Sequence, residues 1–489
     1  MTPGKPSTDF VILGNARLAD RDVDLTIDDG VIASIGEPGS LGTPDVDLAG
    51  RWLGPGLWDE HTHFTQWALT SQRLDLSSVT SARDAATAVA AAIESGAAAE
   101  TGQLIGAGFR DGMWPDAPNL ADLDAASGSI PVVLVSGDLH CVWLNSAALA
   151  VHGHAGHPTG LIREDAAFEI CTTIATVPDE TGDAWARAAA SAAARRGVVG
   201  IVDLEMSWNL GTWTRRRATG HDALRVEFGI YTQHLQRAVD EGLRTGQRID
   251  DLITVGRFKV LTDGSLNTRT GYTYDEYPGL EGQEFSRGIL TLPPEELVPL
   301  MRLAHDNGIV PDVHAIGDHA NSLVLDAFET VGGGGRVEHA QLLAASDIPR
   351  FAELGVEVSV QPEHLLDDRD VTDRYWPGST HLAYAFRSLL DAGARLRFGS
   401  DAPVAPLDPW VSIAAAVSRT RGGREPWHPE QRITVAEALE ASTRTTVEVG
   451  QPADLVVTEA DPFAIDADAL RTMPVAATLL GGRFTHSEL

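Results

Sequence analysis

Residues 52–64 read Trp52-Leu53-Gly54-Pro55-Gly56-Leu57-Trp58-Asp59-Glu60-His61-Thr62-His63-Phe64. An apolar run ends in two histidines one residue apart. On a β-strand, residues i and i+2 point to the same face. His61 and His63 therefore project side by side where the strand ends. Two imidazoles converging on one point can begin a zinc-type site. Taken alone, they could equally be two ordinary histidines near a turn. The segments downstream separate these readings, because four of them read as strands that end in another potential ligand.

One segment reads Arg257-Phe258-Lys259-Val260-Leu261-Thr262-Asp263-Gly264-Ser265. Others are Asp312-Val313-His314-Ala315-Ile316-Gly317-Asp318, Arg336-Val337-Glu338-His339-Ala340 and Arg397-Phe398-Gly399-Ser400-Asp401-Ala402-Pro403. With them come further strand candidates, giving Leu53–His63, Gly200–Met206, Arg225–Thr232, Arg257–Asp263, Ile309–Gly317, Arg336–Leu342, Val356–Pro362 and Leu396–Asp401. Helix-like stretches alternate with them, the pattern of a parallel sheet with crossover helices. Eight such strands close a (β/α)8 TIM barrel, in which catalytic groups sit at the C-terminal ends of strands. The order His-x-His, Lys, His, His, Asp falls on strands one, four, five, six and eight. Scattered histidines would not produce it.

The two ends of the chain have a different texture. Asp9–Arg17 and Val23–Gly36 read as short strands, the latter a hairpin with Asp29-Gly30 at its turn. Ala453–Thr458 and Ala476–Phe484 mirror them near the C-terminus. Neither end has enough strands to bury a face alone. The expectation is one small β-sandwich domain built from both termini: residues 1–51, then a barrel over 52–430, then a helix and the returning strands over 431–489. The gap between the first two barrel strands is too long for one crossover, so an insertion occupies about 65–196. It holds an Ala-rich helix, a Trp-bearing loop at Gly108–Asn119, a strand at Ile130–Val135 and a second Ala-rich helix. Long insertions at the catalytic face often form lids.

Composition narrows the class. A chain of 489 residues can bury one large core plus accessory domains. No apolar run spans a bilayer, and the first nine residues lack an apolar signal-peptide core, so the expected location is cytoplasmic. The two cysteines, Cys141 and Cys171, need no disulfide framework. A net charge of −32 argues against nucleic-acid or anionic-membrane partners and fits an enzyme of small molecules. A homo-oligomer remains compatible with the sequence. Lysine occurs only as Lys5 and Lys259, against 37 Lys plus Arg in all. Lys259 lies in an apolar strand, where an amine can lose its proton and become a nucleophile and a guanidinium cannot.

These residues, in this order, resemble the amidohydrolase superfamily, and within it the branch that includes N-substituted formamide deformylases. Further matches are Asp263-Gly264-Ser265-Leu266, His314-Ala315-Ile316-Gly317-Asp318, Val358…Gln361-Pro362, and His140…Asn145-Ser146-Ala147-Ala148-Leu149. The resemblance implies the following roles. His61 and His63 hold one metal ion, and His314 and His339 a second. Lys259, N-carboxylated, bridges the two as a carbamate. Asp401 binds the first ion and shuttles a proton. Zinc is expected, one or two ions per chain, with another divalent metal as an option. A single-ion site with Lys259 unmodified stays open. As residue types, His339 could instead be a core histidine and Asp401 a helix N-cap. Substrate contacts are expected from Trp114, His140, Asp263, His319 and Gln361. The resulting reading is a metal-dependent hydrolase cleaving a C–N bond, of an amide, N-acyl or N-formyl group, in a small molecule. Hydrolytic deamination or cyclic amide opening on the same centre is one alternative. A non-catalytic ligand-binding relative is the other.

Overall fold

The computed structural model describes all residues except 1–9, 99–101, 110, 112–113, 137–140, 164, 176, 267 and 379. The chain forms two compact units, one from the residues up to Phe64 together with Ala190–Leu489, the other from Thr65–Ala189.

Eight parallel strands form the centre of the first unit: β1 (Leu57–Thr62), β2 (Val198–Asp203), β3 (Arg225–Tyr231), β4 (Ile253–Leu261), β5 (Pro311–Ala315), β6 (Gly335–His339), β7 (Val356–Val360) and β8 (Leu396–Phe398). Each pairs with the next in chain order. Burial on both faces explains their unbroken apolar runs; every residue of β1 and β2 is buried. The ring nearly closes where the chain beyond β8 meets the end of β1. There the Asp401 N–H donates to the His61 carbonyl at 2.7 Å, and the His63 N–H to the Ala402 carbonyl at 2.8 Å. The Ser400 N–H donates to Asp59 Oδ1 at 2.8 Å. Only glycine fits at residue 399, because a Cβ there would lie 2.5 Å from His61 Cβ.

The expected first strand, Leu53–His63, is two strands. Trp52–Pro55 pairs antiparallel with Leu455–Thr458, and the barrel begins at Leu57. The break falls at Gly56, whose N–H donates to the Asp454 carbonyl at 2.8 Å. A Cβ on Gly56 would come within 2.4 Å of Val199 Cγ1. The backbone crosses from one sheet to the other at the residue with no side chain to obstruct it.

The terminal strands hydrogen-bond into one sheet, in the order Arg483–Ser487, Val475–Leu480, Leu455–Thr458, Trp52–Pro55, Val11–Leu18, Arg21–Asp28, Val31–Gly36. Its core unites Leu13, Leu25, Ile27 and Leu53 with Leu455, Val457 and Leu479. Both halves of the chain are needed to fill it. The turn residues Asp29 and Gly30 have φ of 46° and 77°, as a two-residue hairpin turn of this hand requires. The second unit has its own five-stranded sheet and its own core around Leu76, Phe109, Leu134 and Trp143. Among the described residues, no helix is long and apolar enough to cross a membrane.

Inside the barrel lies a closed ring of alternating charges. Glu60 takes Arg336 at 3.0 Å and Arg444 at 2.6 Å. Arg444 reaches Glu227 at 2.7 Å, Glu227 reaches Arg257 at 2.8 Å, and Arg257 reaches Glu357 at 3.0 Å. Glu357 returns to Arg336 at 3.2 Å. Glu60 on β1 and Arg336 on β6 are not neighbours in the sheet, so these contacts cross the lumen. Burial disfavours the charge on Glu60, but Arg444 and Arg336 outweigh it and hold the carboxyl well below its usual range. Arg336→Met should therefore destabilise the chain by about 3–5 kcal/mol, since it opens the buried ring and leaves Glu60 and Glu357 with one fewer guanidinium each. Denaturant unfolding of the variant beside the wild type measures this. A loss within error of zero would mean the ring is not a stabilising element.

Candidate metal centre

The end of β1 delivers His61 and His63 as their spacing requires, with ring centroids 5.7 Å apart. Barrel closure brings Asp401 to both. Its Oδ1 lies 3.3 Å from His61 Nε2 and 3.3 Å from His63 Nε2. His339, from the end of β6, has its ring 5.1 Å from that of His61 and 4.4 Å from that of His314. Donor atoms of His61, His339 and Asp401 all lie within 4.8 Å of one another. Three donors at that separation, two of them imidazoles, suit a divalent transition metal. Lys259 Nζ, His63 Nδ1 and His339 Nδ1 are also shielded from solvent and have no hydrogen-bond partner among the described residues.

The protonation states suit the same purpose. Burial, then the neighbouring His314 and His61, push His339 well below its usual pKa, so it is a neutral imidazole with a lone pair to give. His61 is also lowered, chiefly by burial. Burial opposes charge on Asp401, but its polar surroundings, with a hydrogen bond from His63, hold the carboxyl well below its usual range.

One residue decides the orientation of His61, and the sequence pattern did not single it out. Glu338 Oε2 accepts a hydrogen bond from His61 Nδ1–H at 2.5 Å, with both side chains buried. This leaves His61 Nε2 facing Asp401. A ligating histidine commonly donates its other ring N–H to a carboxylate in this way. The available signal was a glutamate inside a fully buried strand, which is costly unless paired. Strand periodicity hid it, because Glu338 and His339 should point to opposite faces. His339 has φ of 75°, in the left-handed region, and Asp401 has φ of 57°. The backbone turns at His339, so both neighbours reach His61. Such conformations cost about 1–3 kcal/mol each and cluster at functional sites.

The expected substrate contacts fare differently. The Asp263 carboxylate accepts from the backbone N–H groups of Ile316 (3.0 Å), Gly317 (2.8 Å) and Tyr272 (2.8 Å). It ties the end of β4 to the end of β5 and is thereby committed to positioning. His314 Nε2 lies 3.2 Å from the Gly264 carbonyl and 3.4 Å from Asp263. The Gln361 amide N–H donates to Glu338 Oε2 at 3.4 Å, so it supports the carboxylate that orients His61. His319 is stacked against Tyr272 and Tyr274, with centroids 4.7 Å and 4.2 Å away. Trp114 packs against Phe109 in the core of the second unit. His140 lies outside the described residues.

Residues 46–486 match the model of an amidohydrolase family. The chain belongs to that family. Among its relatives, LONG AFTER FAR-RED 3 of Arabidopsis thaliana is 30% identical, over 94% of this chain and 87% of that protein. The N-substituted formamide deformylase of Arthrobacter pascens is 25% identical, over 93% of each. In fold, the chain resembles an uncharacterised metal-dependent hydrolase of Pyrococcus horikoshii, with a TM-score of 0.79 at 24% identity, covering 94% of this chain and 99% of that one. The chain is thus an amidohydrolase, and its converging His61, His339 and Asp401 donors suit a metal ion. Glu338→Ala should weaken its metal retention roughly 10–100-fold by freeing the His61 ring. Glu338→Gln, which keeps an acceptor, should fall in between. Competition with a chelator reads both, and unchanged retention would mean that packing alone orients His61.

Proposed function

We propose that this amidohydrolase cleaves the C–N bond of an amide, N-acyl or N-formyl group in a small molecule. The observation that carries the reading is the convergence of His61, His339 and Asp401 donor atoms within 4.8 Å. We assign His61, His63 and Asp401 to one zinc ion and His314 and His339 to a second. Lys259, as an N-carboxylated lysine, would offer an oxygen to each. The amine is buried and has no hydrogen-bond partner among the described residues, which supports that role. One observation favours a single-ion form, with Lys259 unmodified: the tight cluster pairs His61 with His339, across the two-ion division. A bound divalent cation supplies Lewis acidity and lowers the pKa of water to about 7. Asp401, kept ionised by its polar surroundings, takes the proton from the attacking water and passes it to the departing nitrogen. Glu338, itself bonded by Gln361, holds His61 while it does so. We also read the sheet built from both termini as a small β-sandwich domain.

The test combines metal content per chain with turnover of an amide panel that includes N-substituted formamides. Zinc at one or two ions per chain is expected, with hydrolysis lost on chelation and restored by zinc. Asp401→Asn should reduce kcat by about 10²–10⁴-fold, the usual loss of a general acid–base group. Protein that takes up no metal on reconstitution, or an Asp401→Asn variant as active as wild type, would sink the proposal.

A further inference from the structure

The turn after β7 carries a histidine that the mechanism above leaves unused. Gln361-Pro362-Glu363 leads into the helix His364–Tyr375. This turn is held from several sides. Gln361 is anchored on Glu338. Glu363 is clamped between Arg421 at 2.5 Å and Arg471 at 2.8 Å. The His364 N–H donates to the Gln361 carbonyl at 3.1 Å. The His364 ring is 7% exposed. It lies nearly parallel to His339, with an interplanar angle of 16° and centroids 6.4 Å apart. Yet its Nε2, shielded from solvent, has no hydrogen-bond partner among the described residues.

A buried polar group without a partner costs about 1–3 kcal/mol, and such groups are rare in folded proteins. Here the cost falls on a ring fixed beside the metal centre. His364 lies outside the cluster of His61, His339 and Asp401 and outside the set assigned to the ions above, whose members come from the ends of β1, β4, β5, β6 and β8 rather than from the turn after β7. The free nitrogen therefore suits a ligand atom better than the ion. Asp401 serves the nitrogen of the scissile bond. The carbonyl oxygen, where negative charge grows, needs a hydrogen-bond donor, and an imidazole N–H is one.

We propose that His364 is a catalytic residue whose Nε2–H donates a hydrogen bond to the carbonyl oxygen of the bound amide, more strongly as that oxygen becomes an oxyanion. This rests on the amide-hydrolysis reading. No bond to His364 forms or breaks.

The experiment uses the full chain loaded with zinc, N-benzylformamide as substrate and benzylphosphonate as a tetrahedral mimic. His364→Ala should lower kcat by about 10²–10³-fold, as removal of an oxyanion donor does, with KM little changed. His364→Asn, which keeps an N–H donor, should recover at least about a tenth of the lost rate. Zinc per chain should stay at the wild-type value in both. Benzylphosphonate should bind the Ala variant at least about tenfold more weakly in calorimetry. Wild-type kcat in the Ala variant overturns the assignment. So does a loss that follows zinc out of the protein, or failure of both variants to fold. A wild-type chain that hydrolyses no amide overturns the proposed function instead. His364 is then judged on benzylphosphonate alone, where equal binding by wild type and variant rejects it and weaker binding by the variant supports it.

Discussion

The join between β1 and the chain beyond β8 is the constraint on which the metal centre depends. The His61 carbonyl receives the Asp401 N–H, and the Ala402 carbonyl receives the His63 N–H. These two backbone bonds close the ring of strands and set the positions of three of the proposed ligands together. A slip of one residue would turn the side chains to the other face. Asp59 reinforces the register by accepting from both Ser400 and His61. Burial pushes its carboxyl up to about 7, a sign of how fully this seam is sealed.

Below the seam, the barrel interior is divided by what its polar groups bond to. In the charge ring each carboxylate takes two guanidinium groups. At the metal centre, among the described residues, Lys259 Nζ, both Asp312 carboxylate oxygens, Glu338 Oε1, His339 Nδ1 and His364 Nε2 have no hydrogen-bond partner, whereas in the ring only Arg257 Nε and Arg336 Nε lack one. Burial and the nearby Glu338 push the Asp312 carboxyl upward. The ring is organised for stability, and the layer above it is organised around something the protein must bind. Glu60 and His61 show how closely the two layers meet, since one residue belongs to each. Between Asp59 and Thr62, β1 has one more residue than β2. That irregularity lets consecutive side chains both reach the interior.

Much of this was legible before folding was considered. The i, i+2 spacing of His61 and His63 sufficed to put them side by side, because strand geometry alone dictates it. Lys259 stood out because every other cation in the region is an arginine. Glu338 did not, because alternation assigns it the face opposite His339, and the positive φ at His339 overrides alternation. Asp263 looked like a substrate contact on type and position. Its three amide donors come from residues as distant as Gly317, which no local pattern reveals. The break at Gly56 was hidden for a similar reason, since the obstructing Val199 belongs to another strand.

The sequence by itself determined the barrel, the order of the ligand-bearing strands and the family, because each is a matter of local periodicity and residue type along one strand at a time. Only the tertiary structure decided which carboxylate holds His61, which buried nitrogens are left unpaired, and where β1 leaves the terminal sheet. Those depend on contacts across the lumen and between distant strands. Such contacts are set by register, closure and a few left-handed backbone positions rather than by any neighbour in the chain.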